Sequence, residues 1–212
     1  MCGIAGFVDT SASRPDRLVK ARRMGEAIFH RGPDDHGEWA HDNGLTFSHR
    51  RLSVIDLSPA GHQPMISSSQ RFVLVFNGEI YNFKVLKKQL QDLGQPIVGD
   101  SDTAVMLGAF EQWGVHAAVN RFKGMFAFAL WDEREKCLYL CRDRVGEKPL
   151  YFGWIGNKLY FASDLRPMIR EEKRKLSLDY RSIQLFFEYS YIPSPFSVFK
   201  EINKLGPGEL VK

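Results

Sequence analysis

The sequence predicts an α+β fold in which helices cover packed antiparallel sheets. Two observations carry this prediction. Short β-branched or aromatic stretches are bounded by turn residues and joined by short connections, a pattern typical of antiparallel strands. Longer stretches between them repeat apolar residues at helical spacing. With 212 residues, of which 44% are hydrophobic, the chain is long enough to bury a sizeable core.

The predicted helices cover residues 14–32, 82–94, 101–114 and 178–190. We expect Asn82 to be the N-cap of the second helix and Gly94 its C-terminal stop. Ser101 and Gly114 bound the third helix in the same way. The first three helices are amphipathic, so each has one apolar face to lay on a sheet.

The predicted strands cover residues 4–8, 45–54, 72–77, 125–132, 137–143, 149–155 and 158–163. Gly156 and Asn157 form the tip of a tight hairpin between the last two strands. Residues 125–131 are apolar on both sides of the strand, which indicates burial between two layers.

Composition and charge exclude several classes of protein. The net charge is +4, and the basic clusters are interleaved with acids, so we expect solvated faces and no nucleic-acid partner. No apolar run is long enough for a transmembrane helix, and the N-terminus lacks the basic region of a signal peptide, so we expect no membrane association and a cytoplasmic protein. An odd number of cysteines fits a reducing compartment.

Two of the three cysteines, Cys137 and Cys141, point to the same face of one strand, with Tyr139 between them. We expect buried core thiols, because no further pair of metal ligands lies at suitable spacing. The sequence therefore predicts no metal site.

The third cysteine, Cys2, opens the chain in "MCGIAGFV". One interpretation is only a first buried strand. The other is chemical: removal of Met1 would leave one residue with both a nucleophilic thiol and a free α-amine that can act as a base.

Adjacent arginines stand in the strand-like stretch "SHRRLSVID". Arg50 and Arg51 must point to opposite sides of a strand, so one of them can point inward. An inward arginine needs an anion, and a substrate carboxylate held by two parallel hydrogen bonds would satisfy it.

The stretch "FVLVFNGEIYN" ends a predicted strand in Asn77-Gly78-Glu79. Asn-Gly is a strong hairpin-turn signal, yet a helix and not a partner strand follows. The alternative is an oxyanion hole made by the Gly78 backbone N–H and the Asn77 side-chain amide.

An acidic residue, Asp102, lies in the first turn of the third helix. The helix dipole alone explains an acid there, and the same dipole would keep the carboxylate ionised and able to bind a substrate ammonium group. The stretch "HRGPDDHG", with His30 and His36, reads as a structural loop or a mobile lid and not as the source of a catalytic base. Arg51 for a carboxylate, Asp102 for an ammonium group, Asn77 and Gly78 for an oxyanion and Cys2 for a carbonyl carbon together match an amino-acid amide substrate such as glutamine.

Eight stretches occur in the order seen in glutamine-dependent asparagine synthetases. They are "CGIAGF", "HRGPD", "RLSVID", "NGEIYN", "SDTAV", "GMFAFALWD", "RDRVGEKPLYF" and "FASDL". The chain therefore resembles the N-terminal glutaminase domain of that family, an N-terminal-nucleophile amidotransferase. The resemblance implies a four-layer αββα sandwich of two antiparallel sheets within residues 1–212, of which about 190–212, rich in Pro and Gly, would approach a second domain.

The resemblance also implies the roles of the site residues. Cys2 would be the nucleophile after loss of Met1, with Asn77 and Gly78 completing the catalytic set. The glutamine-binding positions of the family correspond to Arg51, Leu52, Val54, Asn77, Gly78, Glu79 and Asp102.

The family's second domain activates aspartate with ATP through a Ser-Gly-Gly-x-Asp-Ser loop, which this chain lacks. The resemblance implies L-glutamine as substrate and a synthetase domain, in cis or on a partner subunit, as the recipient of ammonia. ATP and Mg²⁺ would be needed only there, with no cofactor in this chain. The chain is then part of a longer enzyme or a free-standing glutaminase.

Other functions stay open at this point. The same glutaminase could serve another acceptor, such as a sugar acid or a polysaccharide precursor. A non-catalytic binding domain and a processed acylase of the same nucleophile class are further alternatives.

Overall fold

Two antiparallel β-sheets form the centre of the molecule, which we describe from a computed structural model for residues 1–54, 58–97 and 99–212. Their strands are, in chain order, β1 (Gly3–Val8), β2 (Asp35–Ala40), β3 (Leu45–Arg51), β4 (Met65–Ile66), β5 (Phe72–Ile80), β6 (Gly124–Asp132), β7 (Cys137–Arg142), β8 (Tyr151–Ile155), β9 (Lys158–Ala162), β10 (Ile202–Lys204) and β11 (Leu210–Val211). The six-stranded sheet has the order β10-β8-β9-β1-β3-β2, and the five-stranded sheet has the order β11-β7-β6-β5-β4. Strands β10 and β11 thus attach the C-terminal residues to one edge of each sheet.

Helices cover both outer faces. They are α1 (Arg14–Glu26), α2 (Phe83–Asp92), α3 (Asp102–Trp113), α4 (Val115–Arg121) and α5 (Arg166–Glu172), with short 3₁₀ turns at Phe29–Arg31, Pro59–Gly61 and Lys173–Lys175. A further helix, α6 (Tyr180–Tyr189), is largely exposed. The predicted strands and helices therefore exist, and the structure adds β2, β4, β10, β11, α4 and α5 to them.

Three apolar clusters separate four layers. Between the sheets, Ile4 of β1 and Phe47 of β3 pack with Val75 of β5. On the outer face of the five-stranded sheet, side chains of β5, β6 and β7 pack against α2, α3 and α4. On the outer face of the six-stranded sheet, β1 and β9 pack against α1 and α5. This arrangement confirms the four-layer αββα sandwich.

The boundaries of some elements differ from prediction. The first helix ends at Glu26 and not at residue 32, because the chain tightens into a 3₁₀ turn at Phe29–Arg31. The strand predicted over 45–54 ends at Arg51, and Ile55 and Asp56 of the "RLSVID" motif lie outside the described residues. Part of the stretch predicted as a loop is β2, whose His36 pairs with Arg50.

The caps show why α2 and α3 begin and end where they do. Ser101 caps α3 as predicted, since its hydroxyl accepts from the Ala104 N–H at 3.2 Å. Asn82 precedes α2, but its side chain does not cap the helix. It accepts from the Lys123 N–H at 2.9 Å and donates to the Arg121 carbonyl at 3.0 Å, which ties α2 to the end of α4. Gly114 ends α3 with φ at +76°, a backbone conformation that favours glycine.

Cys141 is a buried core thiol, as the sequence predicts, whereas Cys137 is only partly buried at the margin of the same apolar cluster. Burial raises the pKa of the Cys141 thiol to about 12. That thiol is therefore protonated and unreactive at neutral pH.

Candidate active site

The end of the layer between the two sheets opens into a cleft of about 200 Å³. Side chains on a strand alternate between faces, so residues an even number apart point to the same side. Ile4, Phe47 and Val75 lie in the inter-sheet core. We therefore expect Cys2, Arg51 and Asn77 to point to that side. Every predicted site residue lines this one cleft: Cys2, Arg51, Leu52, Val54, Asn77, Gly78, Glu79 and Asp102.

Cys2 lies immediately before β1, at the mouth of the inter-sheet layer. Its Sγ accepts from the Leu52 N–H at 3.4 Å, and the thiol faces the Leu52 carbonyl at 3.6 Å. Burial raises the pKa of the thiol, and the Leu52 N–H and the Arg51 charge oppose this only in part. A protonated thiol needs a base before it can attack a carbonyl carbon.

The N-terminal amine is the base nearest to that thiol in sequence. Burial lowers the pKa of the Met1 amine, and the charges of Arg31 and Lys148 lower it further. The Arg31 Nε also donates to the Cys2 carbonyl at 3.1 Å, which fixes the start of β1. The Met1 amine therefore loses its proton more readily than an amine in water.

Arg50 and Arg51 take opposite faces of β3. The Arg50 guanidinium lies over the Phe29 ring, 5.5 Å from its centroid, away from the cleft. Arg51 lines the cleft, and its Nη1 donates to the Ser58 carbonyl at 2.9 Å. A side chain at Gly61 would come within 2.0 Å of the Arg51 Nη2, so Gly61 leaves the space that the guanidinium fills.

Asn77 and Gly78 lie within β5, which continues to Ile80, so the hairpin-turn interpretation is wrong. Alternate N–H groups of β5 point away from β6: those of Phe76 and Ile80 bond to side chains beyond the strand edge. Gly78 lies between them in the same alternation, so its N–H points along this edge into the cleft. Only glycine fits there, because a Cβ would lie 2.2 Å from the Met125 carbonyl oxygen.

The Asn77 side chain points into the same cleft from the inter-sheet face. It is 1% exposed, and among the described residues its Nδ2 has no hydrogen-bond partner. Leaving a buried donor unpaired costs about 1–3 kcal/mol, so a natural protein rarely keeps one without a ligand to receive it. The Asn77 amide and the Gly78 N–H are thus two hydrogen-bond donors that face the same cleft.

Asp102 begins α3 and faces the cleft. Its two carboxylate oxygens accept from the Ile80 N–H at 3.0 Å and the Thr103 N–H at 2.9 Å. Burial nevertheless raises the pKa of this carboxyl, with the nearby Glu79 adding to the effect. The net direction is opposite to what the helix dipole alone predicts, and a cation in the cleft would favour the ionised form.

The two histidines of the "HRGPDDHG" stretch lie apart from these groups. His30 bonds through Nε2 to the Arg166 guanidinium at 2.8 Å, and His36 pairs within the six-stranded sheet. A Cβ at Gly32 would come within 2.5 Å of the Arg50 carbonyl, so the loop packs tightly on β3. Neither histidine is among the residues that line the cleft.

Other side chains of the cleft carried no prediction. Gln63, Thr103, Met125 and Lys148 line it. Lys148 lies in the quoted "RDRVGEKPLYF" motif and Thr103 follows Asp102, so their positions in the sequence could have drawn attention to them. Gln63 stands in no motif, and only the fold brings it to the edge of β5.

Within residues 1–54, 58–97 and 99–212, no group of three or more His, Cys, Asp or Glu residues is placed to hold a metal ion. No helix in this part of the chain is both long enough and apolar enough to cross a membrane.

Comparison with known proteins places this chain in a family. The family model described as a glutamine amidotransferase domain matches residues 1–212. "Asparagine synthetase [glutamine-hydrolyzing] 1" of Bacillus subtilis is 34% identical over 210 residues, covering 98% of this chain and 33% of that protein. A putative asparagine synthetase of Methanocaldococcus jannaschii is 32% identical, covering 97% of this chain and 42% of that protein.

The fold comparison agrees. A solved structure of glutamine phosphoribosylpyrophosphate amidotransferase from B. subtilis superposes with a TM-score of 0.67 at 20% identity, over 79% of this chain and 43% of that one. The chain spans between about a third and two-fifths of the length of the two synthetases above. Since the family model covers every residue of the chain, this protein belongs to the glutamine amidotransferase domain family.

Proposed function

We propose that this domain hydrolyses glutamine to glutamate and ammonia through a thioester on Cys2, after removal of Met1. The observation that carries the proposal is a pair of donors in the same cleft as the Cys2 thiol: the Asn77 Nδ2, which has no partner among the described residues, and the Gly78 N–H, which points to the open edge of β5. Two converging donors beside a nucleophile are what acyl transfer requires.

The chemistry follows from these groups. The α-amine of Cys2 takes the thiol proton, and the thiolate attacks the side-chain amide carbon of glutamine. The amide oxygen becomes negative and accepts from Asn77 and Gly78. Collapse breaks the C–N bond, the protonated amine returns its proton to the leaving nitrogen, and ammonia departs. Water then attacks the thioester carbon, which releases glutamate and restores the thiol.

The rest of the cleft binds the amino-acid end of the substrate. Arg51 takes the α-carboxylate, and Asp102, with Glu79 beside it, takes the α-ammonium group. Leu52 and Val54 also line the cleft. The two charged ends of glutamine thus meet opposite charges, which orients the amide toward Cys2.

A direct assay tests the proposal. The processed chain, beginning at Cys2, should release ammonia and glutamate in equal amounts from L-glutamine. Glutamine that stays intact over many hours with correctly processed, folded protein would show that this is a binding domain and not an enzyme.

The ammonia would serve a synthetase domain in cis or on a partner subunit, with aspartate as acceptor, in the cytoplasm. Support comes from the synthetases that match this chain over a third to two-fifths of their length. ATP and Mg²⁺ would bind only in that second part. The exposed aromatic residues of α6, Tyr180, Phe186 and Phe187, offer it a contact surface. Another acceptor is the second candidate, because "Amidase chry2" of Gibberella zeae is also 35% identical over 179 residues.

Replacing Arg51 with alanine should weaken glutamine binding by one to two powers of ten, since a charge-assisted hydrogen bond contributes about 1.5–3 kcal/mol. Calorimetry with glutamine measures the change. Arg50→Ala is the matched control, because that neighbour faces the Phe29 ring and not the cleft. Equal effects of the two substitutions would contradict the assignment of Arg51.

Asp102→Asn should raise KM about ten-fold or more and reduce discrimination against a glutamine analogue that lacks the α-amine. The variant should also melt at a lower temperature. The two carboxylate oxygens each accept a hydrogen bond from a backbone N–H, and the amide nitrogen of asparagine would place a donor against one of these N–H groups. Steady-state kinetics with both substrates measure the effect. An unchanged ratio between the two substrates would remove Asp102 from the ammonium site.

A further inference from the structure

The backbone of Phe76, directly before Asn77, is held at both its N–H and its carbonyl by side chains from distant parts of the chain. Its N–H donates to the Gln63 Oε1 at 2.7 Å. Its carbonyl oxygen lies 3.0 Å from the His49 Nε2. We call this pair of hydrogen bonds the Phe76 clamp.

Both side chains of the clamp are buried. Gln63 is 5% exposed and also reaches the Thr103 hydroxyl at 3.5 Å, next to Asp102. His49 is fully buried, and burial lowers its pKa to about 4, so the ring is neutral and its Nε2–H donates to the carbonyl. Among the described residues the other ring nitrogen, Nδ1, has no partner. Within the described part of the chain, the hydrogen bond to the Phe76 carbonyl is therefore the one that orients this ring.

The Phe76 clamp lies on the edge of β5 just past the end of its pairing with β4. Strand β4 pairs only with Val73 and Leu74, so among the described residues no strand lies beside this edge of β5 beyond them. The backbone from Phe76 to Gly78 is held on the β6 side by the sheet, and on the open side by Gln63, His49 and, further on, Asp102 at Ile80. A strand edge without such contacts could shift by a fraction of an ångström.

We propose that Gln63 and His49 are positioning residues, which fix the two peptide groups on either side of the Phe76 Cα so that the Asn77 amide and the Gly78 N–H converge on one oxygen. The inference rests on the proposed glutamine hydrolysis, because it assigns these two donors to an oxyanion. Neither side chain touches the reacting atoms. Their effect should appear in the rate of the chemical step and not in substrate binding.

The test compares leucine variants of the two residues. Gln63→Leu removes the acceptor, and His49→Leu removes the donor. Each should lower kcat about 10–100-fold, since small misplacements of catalytic groups have effects of that order, while KM changes less than about two-fold. His49→Gln keeps a side-chain N–H at similar reach and should restore most of kcat.

Ser67→Ala is the matched control. The Ser67 hydroxyl accepts from the Phe72 N–H at 3.1 Å, a bond of the same kind as that of Gln63, on the same edge of β5 but far from the cleft. It should lower the melting temperature without lowering kcat. A second control repeats Gln63→Leu in an Asn77→Ala background. The effect on kcat should then be several-fold smaller, because one of the two donors that the clamp positions is already gone.

The outcomes separate the two claims. Processed wild-type protein that releases no ammonia would contradict the proposed function, and the clamp with it. If the wild type is active and the leucine variants alter kcat no more than Ser67→Ala does, the clamp is wrong and the proposed function stands. The clamp is also wrong if Gln63→Leu has the same effect with and without Asn77. If Gln63→Leu does not fold, His49→Leu and His49→Gln supply the same comparison.

Discussion

Asn77→Ala is expected to lower kcat for glutamine hydrolysis by about 10²–10³-fold and to leave KM nearly unchanged. The Asn77 amide donates to an oxygen that becomes negative only when the thiolate attacks. A neutral amide oxygen in the ground state gains little from the same donor. The variant should fold at least as stably as the wild type, because the substitution removes a buried Nδ2 that has no partner among the described residues.

Steady-state kinetics together with a melting curve decide this prediction. The kinetic effect falls wholly on kcat only if formation of the thioester limits the rate, which a single-turnover experiment checks. A variant that raises KM and spares kcat would make Asn77 a binding residue, and the oxyanion assignment would have to be dropped.

Cys2→Ala is expected to remove hydrolysis almost completely, with a loss of about 10⁶-fold in kcat if the nucleophile contributes here as it does in other acyl-transfer enzymes. Binding of glutamine should persist, because Arg51 and Asp102 are untouched. Cys137→Ala is the control: this thiol packs under α3 and not in the cleft. Activity of Cys2→Ala within ten-fold of the wild type would rule out the thioester.

Local sequence patterns predicted much of this fold and of this site. The Ser101 cap and the apolar stripe of α3 are short-range signals, and they place Asp102 at a helix start. Alternation along β3 sends Arg50 and Arg51 to opposite faces, and it needs no tertiary information to do so. A predicted helix, and not a strand, follows Asn77 and Gly78 in the sequence. This order favours the oxyanion interpretation over a hairpin turn.

The errors have physical causes of their own. Strand β2 carries "DHGEWA", which lacks the regular alternation of an amphipathic strand, because it lies at the edge of its sheet and packs only partly. Asn82 has the residue type of an N-cap, but its side chain forms hydrogen bonds with the backbone of Arg121 and Lys123 and does not cap the helix. Tertiary hydrogen bonds overrode local preference at that position.

Gln63 and His49 mark the limit of sequence reasoning at the site. His49 directly precedes Arg50 and Arg51 but carries no signal of its own, and Gln63 stands in a stretch with no helical or strand pattern. Their importance lies in the backbone of one residue, Phe76, whose carbonyl and N–H they approach from separate segments, 27 and 13 residues away. Such convergence is a property of the folded chain and leaves no periodic trace.

Intact-mass analysis after reaction with a glutamine analogue that carries a diazoketone in place of the amide tests the central claim most directly. Attack by a thiolate on this group expels dinitrogen and leaves a stable thioether. We predict a chain that lacks Met1 and carries one adduct, which peptide mapping places on Cys2, with loss of glutaminase activity in proportion to labelling. A fully active chain that retains Met1, or inactivation with the adduct on Cys137 or Cys141, would contradict Cys2 as the N-terminal nucleophile.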